Sequence, residues 1–109
     1  MIFARGSSAL NKEDERAMAI YLVCYDIEDN RERSKVARAL LRHGKRVQYS
    51  VFELHRMPPQ RRKALASELA ELVSEPASVR FYRLTVDALE DSTDLTGRPI
   101  AKRPAIIIV

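Results

Sequence analysis

The chain has 109 residues and a net charge of +4, with 46% hydrophobic and 31% charged residues. This length supports one domain with a single core, and this composition is that of a folded chain rather than a disordered one. The longest apolar runs, at 19–25 and 105–109, are much shorter than the roughly 20 residues of a membrane span, so we expect no membrane association. Arg5 and Gly6 stand where a signal peptide needs apolar residues, which predicts a cytoplasmic protein.

Positive charge is concentrated in one segment of the chain. Residues 31–46 contain seven Lys or Arg residues and a single acid, Glu32. A solvated helix face is the ordinary explanation of such a run. Because the run directly follows a cluster of oxygen-bearing side chains at 26–30, we favour a surface that binds a polyanion such as nucleic acid.

The first 17 residues differ from the rest of the chain. Residues 6–11 are mostly small or polar, and a charge run from Lys12 to Arg16 follows without any apolar period. We predict that residues 1–17 form an extension outside the fold. The folded domain then comprises residues 18–109.

The first two elements are clear from their patterns. An unbroken apolar run from Ala19 to Tyr25 predicts a central strand that is covered on both faces. Asp29 is a good N-cap for the helix that follows, and Glu32, three residues later, fits a capping box. Gly44 is expected to stop this helix.

The middle of the chain alternates strand and helix patterns. Residues 46–56 predict either one long bent strand or two short strands that turn near Ser50. Pro58 and Pro59 end this region and open a second helix. The buried stripe of that helix consists of Leu65, Leu69, Leu72 and Val73.

The last part of the chain completes a sheet. Residues 79–84 predict a further strand, whereas 85–99 are polar and show no assignable pattern. Ala105–Val109 is strongly β-prone and would be an aggregating edge if left unpaired, so we expect it to pair with another subunit. The order of elements predicts an α+β ferredoxin-like sandwich with two helices on one face of an antiparallel sheet.

Asp26 is the main candidate for chemistry. A carboxylate directly after a strand can be held rigidly, although a turn residue that bonds nearby amides is an equally good explanation. One carboxylate per chain is a poor site for Mg²⁺, which takes about six oxygens. A two-fold homodimer would bring a second Asp26 to the axis, and Mg²⁺ or another divalent cation held there would promote phosphodiester hydrolysis.

Basic and aromatic side chains near this position suggest how a substrate is held. Arg33, Lys35 and Arg46 are expected to bind backbone phosphates. Phe52 offers a ring on which a base can stack, although a core position is the more ordinary role for such a residue.

Several motifs together resemble the CRISPR-associated protein 2 family. They are YLVCYDIEDN ahead of a basic helix, RVQYSVFE, a Pro-initiated second helix, VRFY and a terminal aliphatic strand. The resemblance runs from about Met18 to Val109. It implies a ferredoxin-like fold and a homodimer in which the C-terminal strand of one chain extends the sheet of the other.

The resemblance also implies an activity and a set of site residues. Members are described as metal-dependent nucleases on RNA or DNA, and as the bridge between integrase dimers of CRISPR-associated protein 1 during spacer acquisition. Asp26 corresponds to the catalytic and metal-binding aspartate. The positions implied in substrate binding are Arg33, Lys35, Arg46, Ser50 and Phe52. Lys35 stands where some members carry Arg, whose bidentate fork Lys cannot make.

Two functions follow as hypotheses. The main one is a Mg²⁺-dependent endonuclease, an endoribonuclease or DNase, that acts in spacer acquisition and antiviral defence. The alternative is a non-catalytic DNA-binding adaptor between integrase dimers. A ribosomal-type RNA binder would need a basic and aromatic sheet face and ranks last.

Overall fold

The computed structural model describes residues 20–101. Four strands, β1 (Ile20–Tyr25), β2 (Lys45–Gln48), β3 (Val51–His55) and β4 (Val79–Leu84), form one sheet in the order β2-β3-β1-β4. The helices are α1 (Asn30–Leu41), α2 (Pro59–Ala70) and the short α3 (Val86–Glu90). The predicted N-terminal extension and the predicted strand at 105–109 lie outside the described residues.

The strand pairing confirms the α+β prediction. β1 pairs with both β3 and β4 in antiparallel register, and β2 pairs with β3. Alternate residues of β1, namely Tyr21, Val23 and Tyr25, lie in the main core together with Phe52 and Leu54 of β3. Both long helices contribute to the same core, so they cover one face of the sheet. Their buried members are Val36, Ala37, Ala39, Leu40, Leu65 and Leu69.

The other face of the sheet, called the second face below, is less fully covered. Its members include Ile20, Leu22, Cys24, Glu53, Arg80 and Tyr82, which are neighbours across the strands. Leu22 and Cys24 are only partly buried. The sequence predicts that β1 is covered on both faces. In the single chain, β1 is fully covered on the core face but only partly on the second face.

Local signals account for the start of α1. The Asp29 carboxylate accepts a hydrogen bond from the backbone amide of Glu32 at 2.9 Å, which confirms the N-cap. The other hydrogen bond of the predicted capping box, from the Asp29 amide to the Glu32 carboxylate, is not formed. The Glu32 carboxylate instead accepts from the amide of Ser74 at 3.0 Å and from the Ser74 hydroxyl, so it ties the start of α1 to the loop after α2.

Gly44 follows α1 for a different reason from the one expected. Its amide donates to the carbonyl of Leu40 at 3.0 Å, but its backbone is not in the left-handed region that favours glycine. A Cβ at this position would overlap the carbonyl oxygen of Glu53 and the side chain of Leu54. Glycine is needed here because β3 passes directly against the chain.

The remaining predictions are confirmed with small changes. Residues 46–56 form two short strands joined by a turn at Tyr49 and Ser50. α2 begins at Pro59 and ends at Ala70, so Leu72 and Val73 pack against the core from beyond the helix.

The polar segment after β4 is ordered by its own hydrogen bonds. α3 is capped by the Thr85 hydroxyl, which accepts from the amide of Ala88 at 3.1 Å. The Asp94 carboxylate accepts from the Thr96 hydroxyl at 2.6 Å and from the Arg98 amide at 3.1 Å. These bonds lower the pKa of Asp94, the Thr96 hydroxyl most of all. None of the helices within 20–101 is long and apolar enough to cross a membrane.

Candidate functional site

Asp26 immediately follows β1, and two turns hold its backbone. The Asp26 amide donates to the carbonyl of Ser78 at 3.0 Å, and the Tyr25 amide donates to the carbonyl of Ser50 at 3.1 Å. The side chain of Asp26 is exposed. The structure therefore presents this carboxylate to solvent on a backbone that is fixed from both sides.

Three of the neighbouring oxygen-bearing side chains have other partners. The carboxylate of Asp29 caps α1, and that of Glu32 binds Ser74. The side-chain oxygen of Asn30 accepts from Arg33. Within the cluster at 26–30, Asp26 and Glu28 are exposed carboxylates without a side-chain hydrogen bond among the described residues, and Asp26 is the one directly next to β1.

Two clefts meet at Asp26. A cleft of about 830 Å³ opens on the second face and includes Cys24, Arg80 and Tyr82 in its lining. A cleft of about 460 Å³ lies on the other side, towards the start of α1. Carboxylates dominate the lining of the smaller cleft, which includes Asp26, Glu28, Asp29, Glu32 and Glu75. The smaller cleft therefore repels a polyanion. In the lining of the larger cleft, Arg80 is the single cationic residue beside the carboxylates of Asp26 and Glu75.

Arg80 is well suited to remain charged in the larger cleft. Its guanidinium donates to the hydroxyl of Tyr82 at 3.1 Å. This hydrogen bond is the main cause of the raised pKa of Arg80.

Arg33 holds the loop that carries Asp26. One guanidinium nitrogen donates to the carbonyls of Ile27 at 2.7 Å and Glu28 at 3.2 Å, and the other donates to Asn30. The side chain is half-buried. Arg33 thus lies beside the candidate site, as predicted, but much of its donor capacity is used on the backbone of this loop.

Arg46 and Ser50 lie at the turn that flanks Asp26. The Arg46 Nε donates to the carbonyl of Tyr49 at 3.1 Å. Its guanidinium lies 5.3 Å from the centre of the Tyr49 ring and 5.2 Å from that of Phe52. The fold therefore brings Arg33, Arg46 and Ser50 to the same end of β1 as Asp26.

Lys35 and Phe52 are in different surroundings. Lys35 is exposed on α1 with Arg31 and Arg38, which recur at helical spacing on the same side of the helix. Arg33, two residues before Lys35, lies on another side. Phe52 is fully buried in the core. Its ring offers no face to a base in this structure. Phe52 is therefore a core residue, and the expectation that a base stacks on it is corrected.

One chain does not provide a complete metal site. Within residues 20–101, no group of three or more His, Cys, Asp or Glu side chains is arranged to hold a metal ion. Mg²⁺ takes about six oxygens and commonly uses one or two carboxylates. The Asp26 carboxylate has the chemistry of one Mg²⁺ ligand, and a complete site at this position would need further oxygen ligands from outside residues 20–101 of one chain.

Sequence reasoning missed three residues near Asp26. Arg80 could have been found, because strand alternation and pairing put it on the same face as Cys24. Ser78 is used through its backbone carbonyl, which leaves no signal in the sequence. Tyr49 falls within the stretch 46–56, for which the sequence predicts one bent strand or two short strands, but it is a turn residue that is 68% exposed.

Fold and site together define a small ferredoxin-like protein that presents one exposed aspartate at the end of its central strand, among basic side chains. The family description "CRISPR associated protein Cas2" matches residues 18–91. The chain belongs to this family.

Individual relatives agree with this assignment. The curated protein "CRISPR-associated endoribonuclease Cas2 3" of Synechocystis sp. is 39% identical over 94 residues, which cover 84% of this chain and 100% of that protein. "CRISPR-associated endoribonuclease Cas2 4" of Rhodospirillum rubrum is 33% identical over 97 residues, covering 86% of this chain and 77% of that one. A chain in the solved "Partial Cas6-RT-Cas1--Cas2 complex" is similar with a TM-score of 0.72 and 36% identity, over 78% of this chain and 99% of that chain.

Proposed function

We propose that this protein is a metal-dependent endonuclease that hydrolyses phosphodiester bonds in RNA or DNA during CRISPR spacer acquisition and antiviral defence. The observation that carries the proposal is Asp26, an exposed carboxylate whose amide is held by Ser78 and whose neighbour Tyr25 is held by Ser50. Relatives over most of the chain are named endoribonucleases, which supports the same activity. The proposal locates this activity in the cytoplasm.

The residues around Asp26 have separate roles in this proposal. A divalent cation such as Mg²⁺, when bound by Asp26, offsets negative charge on the phosphodiester. Arg46 binds a backbone phosphate at the turn next to Asp26. Ser50, in the same turn, is a second residue that contacts the substrate. Lys35 attracts the strand from the exposed side of α1, and Arg33 keeps the loop of Asp26 in its conformation.

The proposal requires a homodimer. A single Asp26 is too little for a Mg²⁺ site, and a two-fold axis that passes near this residue would supply the second carboxylate. The partly exposed Leu22 and Cys24 of the second face are apolar side chains that such an interface can cover. The nuclease site is then formed by two chains.

Substitution of Asp26 tests this function. The variant Asp26→Asn keeps the size of the side chain but removes its charge, so we expect loss of Mg²⁺-dependent cleavage of labelled single-stranded RNA and double-stranded DNA. Asp91→Asn is the matched control, because Asp91 is also exposed but lies beyond α3. Undiminished cleavage by Asp26→Asn would exclude Asp26 from the mechanism.

A second candidate function is that of a DNA-binding adaptor for the integrase, CRISPR-associated protein 1. The similarity to a chain in a complex whose name includes Cas1 favours it. An adaptor needs its basic surface and its binding segments but no catalytic carboxylate. Under this alternative Asp26→Asn leaves spacer acquisition in cells intact, whereas deletion of residues 105–109 abolishes it.

A further inference from the structure

The turn between β2 and β3 exposes a large aromatic side chain. Tyr49 is 68% exposed, whereas Phe52, the ring to which the sequence assigned base stacking, is fully buried. We propose that Tyr49 is a stacking site for an unpaired nucleobase of a bound single strand, an inference that rests on the proposed function because it adds a base-binding position to the same site.

The backbone of this turn is held rigidly. The carbonyl of Tyr49 accepts from the Arg46 Nε at 3.1 Å and from the Tyr25 hydroxyl at 3.4 Å. The carbonyl of the next residue, Ser50, accepts from the Tyr25 amide at 3.1 Å. A ring mounted on a fixed backbone has few torsions left to lose, so it binds a partner at a low cost in conformational entropy.

Two guanidinium groups lie over the ring in cation–π contacts, and the rest of the ring surface is exposed to solvent. The guanidinium of Arg46 is 5.3 Å and that of Arg33 is 6.0 Å from the ring centre. Proteins bind single strands by combining aromatic rings, on which bases stack, with cations that attract the phosphates. Tyr49 of the turn, Arg46 of β2 and Arg33 of α1 together provide both components. The positive charge favours a nucleic acid over an apolar protein partner.

The position of the ring relates it to the candidate nuclease site. Tyr25, whose hydroxyl and amide hold the turn, is the residue directly before Asp26. A base on Tyr49 therefore belongs to a nucleotide near the phosphate that Asp26 would serve. Bases inside a duplex are already stacked on their neighbours, so the site selects strands that are unpaired at this point, whether RNA or DNA.

Binding measurements on the full chain test this role. Fluorescence anisotropy gives Kd for a labelled single-stranded RNA, the single-stranded DNA of the same sequence and the corresponding duplex, without divalent cations so that no cleavage occurs. We expect Tyr49→Ala to weaken binding of both single strands by about 5- to 150-fold, the range for loss of one stacked base. Tyr49→Phe should retain the affinity, and Leu95→Ala should not alter it because that exposed residue lies outside the site.

Oligonucleotides that lack bases separate stacking from an indirect effect. On a single strand with abasic positions, wild type and Tyr49→Ala should bind equally, because the sugar-phosphate chain offers nothing to stack. An equal loss on abasic and normal strands would mean that the ring only orients Arg33 and Arg46, and would overturn the proposal.

Three further outcomes would overturn the stacking role of Tyr49. Tight binding of single strands by both wild type and Tyr49→Ala overturns the stacking role alone and leaves the nuclease proposal standing. If Tyr49→Ala loses affinity only for the integrase, the ring is a protein contact and the proposal is wrong. If the wild-type protein binds no nucleic acid, the proposed function and this inference fail together.

Discussion

At the scale of single residues, polar side chains that look equivalent in the sequence have distinct roles. Asp29 could be predicted as an N-cap, because capping depends on the next three residues. The partner of Glu32 could not, because Ser74 is 42 positions further along the chain. Arg33 looked like a phosphate ligand because a basic helix near acidic residues suggests one. Only the fold shows that the Arg33 guanidinium lies within hydrogen-bond distance of two backbone carbonyls in the loop that follows Asp26.

This loop makes Arg33 a positioning residue, which substitution can test. We expect Arg33→Ala to lower kcat more than it raises KM and to speed hydrogen exchange in residues 27–29, because the loop of Asp26 loses three hydrogen bonds. The free energy of unfolding should fall by about 1–3 kcal/mol, the usual cost of losing hydrogen bonds to a charged group. Arg33→Lys should not restore kcat, since an ammonium group cannot reproduce the planar fork.

Lys35→Ala is the matched control on the same helix. Lys35 is exposed, so its loss should raise KM for the nucleic acid and leave kcat and the exchange of residues 27–29 unchanged. A fully active Arg33→Lys variant, or an Arg33→Ala variant with the same kinetic signature as Lys35→Ala, would show that Arg33 acts as a simple phosphate ligand.

At the scale of elements, periodic patterns predicted the structure well. β1, α1, α2 and β4 carry clear apolar periods, and all four were predicted within a few residues. The turn at Tyr49 and Ser50 was left open between two alternatives because it lacks the Gly or Asn that marks most tight hairpins. α3 was missed because five residues are too few to show a period.

A glycine was correctly predicted to follow α1, but Gly44 is required there by the close approach of β3 and not by the end of the helix. Gly44→Ala should lower the free energy of unfolding in urea by about 3 kcal/mol, the upper part of the range for overpacking, because the new Cβ meets the backbone carbonyl of Glu53. Gly97→Ala is the control. Gly97 has a φ of +90° and open space around it, so its replacement should cost only about 1 kcal/mol of conformational strain. Equal stability of Gly44→Ala and wild type would disprove the close approach of β3.

At the scale of the whole molecule, the order of elements was enough to predict a ferredoxin-like sandwich, because few topologies connect these strands and helices. The site was predictable only in part. Asp26 and its basic neighbours could be named from the sequence, but the face of Arg80, the burial of Phe52 and the exposure of Tyr49 depend on register and on one turn. Whether two copies of Asp26 meet depends on an interface, about which the sequence of one chain says little.

The most direct test of the central claim, that each chain contributes half of the nuclease site, is the activity of mixed dimers. Wild type and Asp26→Asn carrying different affinity tags are co-expressed, and dimers with one chain of each kind are purified through both tags. If the two carboxylates share one metal ion, mixed dimers should be as inactive as dimers of Asp26→Asn, and mixed dimers with Asp91→Asn should be fully active. Mixed dimers with about half of the wild-type activity would contradict the claim, because each Asp26 would then act in a site of its own.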